Sequence, residues 1–235
     1  MVTPETLLAL LQLVDSAFPT GAYAFSGGIE GLVEVGAVRD EADLCDLVAT
    51  LTVEGLGATD LPAARHAHRL VGGTGAGAPD TEGLAALDDL LTALRPVPAL
   101  RAQSTKVGRR LLASAAEVVD GPGLGAYRAA VAGGRAAGHH AVAFGVVMAA
   151  AGVDEDVAAL ALGSSSVAGW ATAAVRLGVV GQAAAQRVVV AVRPAVLAAV
   201  AASAWVGLDD LGGYLPMVDI AALRQGEMVG RLFAS

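Results

Sequence analysis

A repeat of apolar residues at helical spacing limits this chain more than any other feature. Leu44, Leu47, Val48 and Leu51 follow it after Asp40, and Leu84, Leu87, Leu91 and Leu94 follow it again. Such a stripe reaches one core only when the backbone is α-helical. No segment shows the sustained apolar–polar alternation of a half-buried strand. The valine-rich run 188–192 lies inside a longer helical pattern. The expectation is an all-α fold, a single globular helical domain of about eight to ten helices covering residues 1–235. Aromatic residues make up only 4% of the chain. Its core must then be built from Leu, Val and Ala, with helices in close contact.

Thr3-Pro4 reads as an N-cap followed by proline at the first helical position. Residues 15–40 read as loop, broken by Pro19 and five glycines. Asp40 caps the next helix, and 60–70, 84–94, 99–119, 125–137, 138–152, 155–169 and 182–204 each carry helical patterning. The glycine-rich stretch 71–80 reads as a flexible connector and lacks the Lys-Ser/Thr pair of a phosphate loop. Residues 217–235 read as a mobile C-terminal tail.

Hydrophobic residues make up 55% of the chain and the mean hydropathy is +0.61. Its charge-free apolar runs nevertheless fall short of the roughly 20 residues a spanning helix needs. The N-terminus lacks a basic n-region, so no signal peptide is expected. A cytoplasmic protein with no membrane association is expected. Net charge is −8 and the pI near 4.9, which argues against nucleic acid as a partner. The lone Cys45 cannot form an internal disulfide.

Catalytic signals are weak. His66 and His68, and likewise His139 and His140, diverge on a helix and lack the i, i+4 spacing of a shared metal. Asp88-Asp89 reads as a solvated pair, and Gly163-Ser164-Ser165 lacks the second glycine of a nucleophile elbow. No cofactor and no metal site are expected. Helix faces are more telling. Arg101, Ser104 and Gly108 share one face at i, i+3 and i+7, where glycine lets another backbone approach. Lys106, Arg109 and Arg110 make the same segment locally basic. A docking face and an ordinary solvated helix fit this spacing equally. Gly138, Gly145 and Gly152 repeat at seven and suggest a small-residue seam, with Gly145 at an internal helix crossing. Gln182, Gln186 and Arg193 share an apolar helix, with Arg176 on the segment before it. Internal glue and partner interface both fit them.

GAYAFSGGIE, 21–30, breaks the helical pattern with three glycines, two aromatics and one acid. It lies within LLQLVDSAFPTGAYAFSGGIEGLVEVGAV, which resembles the opening helix, Ser-x-x-Pro-x-Gly loop and Ser-Gly-Gly-x-Glu turn of the UreF family of urease accessory proteins. LRAQSTKVGRRLL, HHAVAFGVV, AAVRLGVVGQAAAQRVV and LPMVDIAALRQGEMVGRLFAS resemble later family segments, in family order and over nearly the whole chain. Departures occur where the family usually has His-Glu (here Gln225-Gly226), an aromatic (Val229) and proline (Val179).

The resemblance implies an all-α, non-catalytic adaptor for nickel insertion into urease. It implies a homodimer bridging the accessory protein UreD (also called UreH) and the GTPase UreG, and acting on apo-urease. It points to Ser26, Gly28, Glu30, Arg101, Ser104, Gly108, Arg176, Gln182, Gln186, Arg231, Leu232 and Phe233 as partner-binding positions. Glu30 then either satisfies backbone N–H groups or faces the metal path. A helical enzyme or small-molecule-binding domain with an apolar pocket is the alternative from another class.

Overall fold

The computed structural model describes residues 3–72, 78–225 and 232–233. Among these residues every regular element is helical. The chain opens with α1 (Pro4–Val14), whose Thr3 hydroxyl accepts from the Thr6 N–H at 3.2 Å. A short α2 (Ile29–Glu34) follows, inside the stretch expected to be loop. Then α3 (Glu41–Thr50) starts under Asp40, whose carboxylate accepts from the Ala42 and Asp43 N–H groups.

Helix α3 does not end at its expected boundary. It runs through a π-helical segment, Leu51–Asp60, straight into α4 (Leu61–Leu70). The wider turn shows in what is buried. Leu51 and Thr52, Leu56 and Gly57, and Leu61 and Pro62 face inward at a spacing of five. An α-helical template blurs that pattern, so the sequence reads as two helices where the chain makes one rod.

Helices α5 (Thr81–Leu94), α6 (Pro98–Ala115), α7 (Pro122–Ala132), α8 (His140–Ala150) and α9 (Glu155–Arg176) follow. The segment 182–204 divides into α10 (Gln182–Ala191) and α11 (Arg193–Ser203), bent by 43°. Pro194 lacks the N–H that a continuous helix would need there. Last comes α12 (Pro216–Gln225), inside the segment read as a tail, of which residues 226–231 lie outside the described residues. The helix count exceeds the expected eight to ten because α2 and α12 form and 182–204 divides.

The core is centred on α8, buried on every side from Ala141 to Ala149. Helices α4 and α6 flank it. A Cβ on Gly145 would collide with the Ala64 carbonyl of α4, so glycine permits this crossing. Gly138 and Gly152 instead take positive φ, 79° and 70°, in the turns before and after α8. The repeat at seven is thus one internal crossing and two turns rather than a seam.

Most buried polar side chains are bonded within the fold, while Arg95 Nη1 is buried without a hydrogen-bond partner among the described residues. The Arg65 side chain, 3% exposed, bonds Glu155 at 2.8 Å, Asp156 at 2.7 Å and the Val200 carbonyl at 3.1 Å, tying α4 to α9 and α11. His66 and His68 lie 3.0 and 2.8 Å from the Val206 and Val153 carbonyls. Among the described residues α9 alone is one helix long and apolar enough to cross a membrane, and it packs against α4, α8, α10 and α11.

Candidate functional site

Six of the residues singled out in the sequence meet where the N-terminal turn holds the C-terminal segment. Ser26, Gly27 and Gly28 make a turn in which both glycines have positive φ, 63° and 92°. The buried Ser26 hydroxyl accepts from the Glu30 N–H at 3.3 Å and so starts α2. A Cβ on Gly28 would lie 2.9 Å from Val218 of α12, and one on Gly31 would run into the Ala221 carbonyl. Two helices therefore touch backbone to backbone. Val218, Ala221 and Ala222 are the residues α12 buries in this contact.

Glu30 is only 4% exposed. Its carboxylate accepts from the Leu232 N–H at 2.5 Å and the Phe233 N–H at 3.3 Å. A charged acceptor is among the stronger hydrogen-bonding partners a backbone finds. The acid of the opening turn thus satisfies N–H groups some two hundred residues further along. Arg176, at the C-terminal end of α9, completes the arrangement. Its guanidinium carbon sits 3.9 Å from the Tyr23 ring centroid and 4.1 Å from that of Phe233. Its Nη1 donates to the Tyr23 carbonyl. Phe233 is buried and Leu232 exposed. A cation between two ring faces ties residues 23, 176 and 233.

Arg101, Ser104 and Gly108 belong to a second place, the contact between α6 and the start of α8. A Cβ on Gly108 would lie 2.7 Å from both the His139 carbonyl carbon and the His140 nitrogen. The close approach that this glycine permits is made here by the chain's own backbone. Ser104 Oγ lies 3.0 Å from His139 Nδ1 and accepts from the His140 N–H at 3.3 Å. Arg101 donates to the Arg95 carbonyl at 3.0 Å.

Below this contact, Asp88 corrects the sequence reading. It is fully buried rather than solvated. Its carboxylate accepts from the Tyr127 hydroxyl at 2.6 Å, the Gly138 N–H at 2.8 Å and the His139 N–H at 2.9 Å. The signal was present, because Asp88 completes an i, i+3, i+4, i+7 face with Leu84, Leu87 and Leu91. Burial raises the Asp88 pKa against those three donors, and burial beside Asp88 raises that of Tyr127.

His139 is also fully buried, and desolvation is the main cause that lowers its pKa to about 4, with Arg95 second. The Thr92 hydroxyl has one proton, given to the Asp88 carbonyl at 3.0 Å. His139 Nε2, 2.9 Å from Thr92 Oγ1, therefore carries the imidazole proton, and Nδ1 accepts from Ser104. Among the described residues no carboxylate bonds the ring, and Asp88 bonds the backbone of His139. The Ser104–His139 pair thus lacks the third group of a nucleophilic triad. Its geometry fixes the α5, α6 and α8 junction.

Gln182 and Gln186 are exposed, so neither amide is buried glue. Arg231 and the Gln225-Gly226 departure lie outside the described residues or at their edge, as do residues 73–77 of the 71–80 connector. Among the described residues no group of three or more His, Cys, Asp and Glu side chains is placed to hold a metal ion. No sequence pattern pointed to Tyr127, whose hydroxyl anchors Asp88. A single tyrosine in an alanine-rich helix carries no pattern of its own.

Fold and site define an all-α protein whose N-terminal turn clasps its own C-terminal segment. Residues 38–193 match the UreF family model. The chain is 38% identical over 228 residues to the urease accessory protein UreF of Arthrobacter sp. (strain FB24), covering 97% of this chain and 96% of that one. It is 34% identical to that of Xanthobacter autotrophicus (strain ATCC BAA-1158 / Py2), covering 99% and 92%. For Paenarthrobacter aurescens (strain TC1) the identity is 36%, covering 97% of each chain. The chain belongs to the UreF family of urease accessory proteins. The family model spans the helical core, and the full-length relatives extend the similarity over the clasp.

Proposed function

We propose that this chain is a non-catalytic cytoplasmic adaptor in nickel insertion into urease. As a homodimer it bridges a UreD/UreH-type accessory protein and a UreG-type GTPase, and with them acts on apo-urease. Nickel is the cargo of that assembly and not a resident of this chain. Nucleic acid and membrane have no part in the reading.

The observation that carries it is the distribution of exposed apolar side chains. Trp205 and Tyr214 are 89% and 84% exposed, and Leu208, between them in sequence, is exposed as well. Leu7, Leu8 and Leu11 stand out from α1, and Met217, Ile220 and Leu223 from the outer side of α12. Large apolar side chains gathered in solvent mark interaction sites. Three separate groups suit a protein with more than one contact. The α12 group directly adjoins the clasp, which supports Glu30, Arg176, Leu232 and Phe233 as residues that shape a partner surface. The hollow beside Phe18, Pro19 and Val118 is an open groove, which favours docking over capture of a small molecule in a closed pocket.

The test is the nickel content and activity of urease from cells carrying the whole operon, with and without this gene. Loss of both, restored on re-supply, is expected. Fully loaded urease in the absence of the gene refutes the proposal.

A further inference from the structure

The chain is acidic overall, but its charges are unevenly placed. Seven of its fifteen Lys and Arg residues fall between Arg95 and Arg135, against only Glu117 and Asp120. The other residues keep eight cations and twenty-one acids, which is fifteen less seven and twenty-three less two.

The structure turns these cations outward. Ser104 and Gly108 face the core, and Lys106, Arg109 and Arg110 stand exposed on the other side of α6. Arg128 of α7 and Arg135 are exposed as well. Every ion pair among the described residues uses Arg39, Arg65, Arg69, Arg95 or Arg187. The five outward cations therefore have no carboxylate within 4 Å among those residues.

Between α6 and α7 lies an open groove of about 600 Å³. Arg109, Leu112 and Ala113 form one wall, and Arg128, Ala129 and Ala132 the other. No acid lines it. The Nε of Arg109 donates to the Ala137 carbonyl at 2.9 Å, which fixes that side chain at the rim. The α7 wall, from Gly125 to Ala132, gives a run of roughly 10 Å, about two helical turns.

We propose that the α6–α7 groove docks an acidic helical segment of a partner protein. Carboxylates of that segment meet Arg109 and Arg128, and an apolar side chain settles between Leu112 and Ala129. Charge complementarity carries the assignment. Two cations flank an apolar floor, a pattern that suits an amphipathic acidic helix. Single-stranded nucleic acid would need stacking rings, and no aromatic side chain lines the groove. A long polyanion would also meet the acidic remainder of the chain, whereas a short segment stays within about one Debye length of the basic patch. This inference goes beyond the adaptor reading and does not rest on it. It adds a polar docking site to the three apolar groups.

The test uses the full chain and a labelled helical peptide with Leu at i and i+3 among Glu residues, read by fluorescence anisotropy. Saturable binding is expected, lost when every Glu of the peptide becomes Gln. Arg128→Glu and Arg109→Glu should each weaken it about tenfold. Arg193→Glu, an exposed and unpaired cation of α11, serves as the control and should leave binding nearly unchanged. Circular dichroism confirms that each variant is folded. Equal weakening by Arg193→Glu overturns the proposal, because bulk charge then explains the binding. Tighter binding of a single-stranded oligonucleotide than of the peptide also overturns it. So does dissociation of a homodimer to monomers in Arg128→Glu, which would assign the groove to a second copy of this chain.

Discussion

Lowering the pH from 7 to 5 should destabilise this protein chiefly through one side chain, His139. In the unfolded chain its imidazole titrates at an ordinary 6.5, and in the native state burial holds it near 4. Between those values the unfolded state binds a proton that the native state refuses. Stability therefore falls as pH drops through 6.5 and stops falling near 4. Taken from pH 7 to pH 5, the loss attributable to His139 is about 2 kcal/mol. The window lies above the range in which most carboxylates titrate, so acid unfolding of ion pairs does not obscure it. His140 is shifted the same way, chiefly by burial, and adds to the slope. The assay is urea unfolding followed by circular dichroism across this range, on the wild type and on His139→Gln. The variant starts less stable, because its amide replaces a ring bonded to both Ser104 and Thr92. Its loss between pH 7 and pH 5 should be smaller by about 2 kcal/mol. An identical pH slope in the two proteins would refute the argument that a neutral, buried imidazole holds this junction.

Gly108→Ala should lower stability by about 2 kcal/mol, despite a helix-propensity gain of roughly 1 kcal/mol, because its Cβ meets backbone atoms that cannot swing aside. Thermal melting checks it, and a rise in Tm would refute the packing argument. Glu30→Gln keeps the shape but removes the charge that two N–H groups share. Amide exchange at Leu232 and Phe233 should quicken about tenfold while the α12 core stays protected. Unaltered exchange at both residues would mean that the clasp does not depend on the carboxylate. Binding of the UreD/UreH-type partner should slow hydrogen exchange over 217–233, and equal protection with and without it would remove the C-terminal segment from that contact.

The sequence made the helical core legible because its apolar stripes obey one period. Leu84, Leu87 and Leu91 are buried as their spacing requires, and Thr3 and Asp40 cap helices as their chemistry requires. Asp88 was hidden by its neighbour. Read as a pair, Asp88-Asp89 looks solvated, but the two side chains point to different sides and only Asp88 faces the leucines. The π-helical turns were hidden because no common periodicity template has a spacing of five. Helices α2 and α12 were hidden for another reason. Each is short, and each is stabilised by the other, through a glycine contact between residues nearly two hundred positions apart. Local propensity carries no trace of such a partner. The resemblance to UreF gathered Ser26, Gly28, Glu30, Arg176, Leu232 and Phe233 as a set, and only the folded chain shows that they touch.

The clasp has a practical consequence for anyone who handles this protein. Phe233 is buried under the Arg176 guanidinium, and Ser235 follows two positions later. An affinity tag or fluorescent protein attached within two positions of Phe233 would begin almost at that ring and pull on it. The first residue of α1, by contrast, is exposed and makes no comparable contact. Fusions joined ahead of Pro4 leave the seat of Phe233 untouched, so the two tag placements report on different states of the same chain.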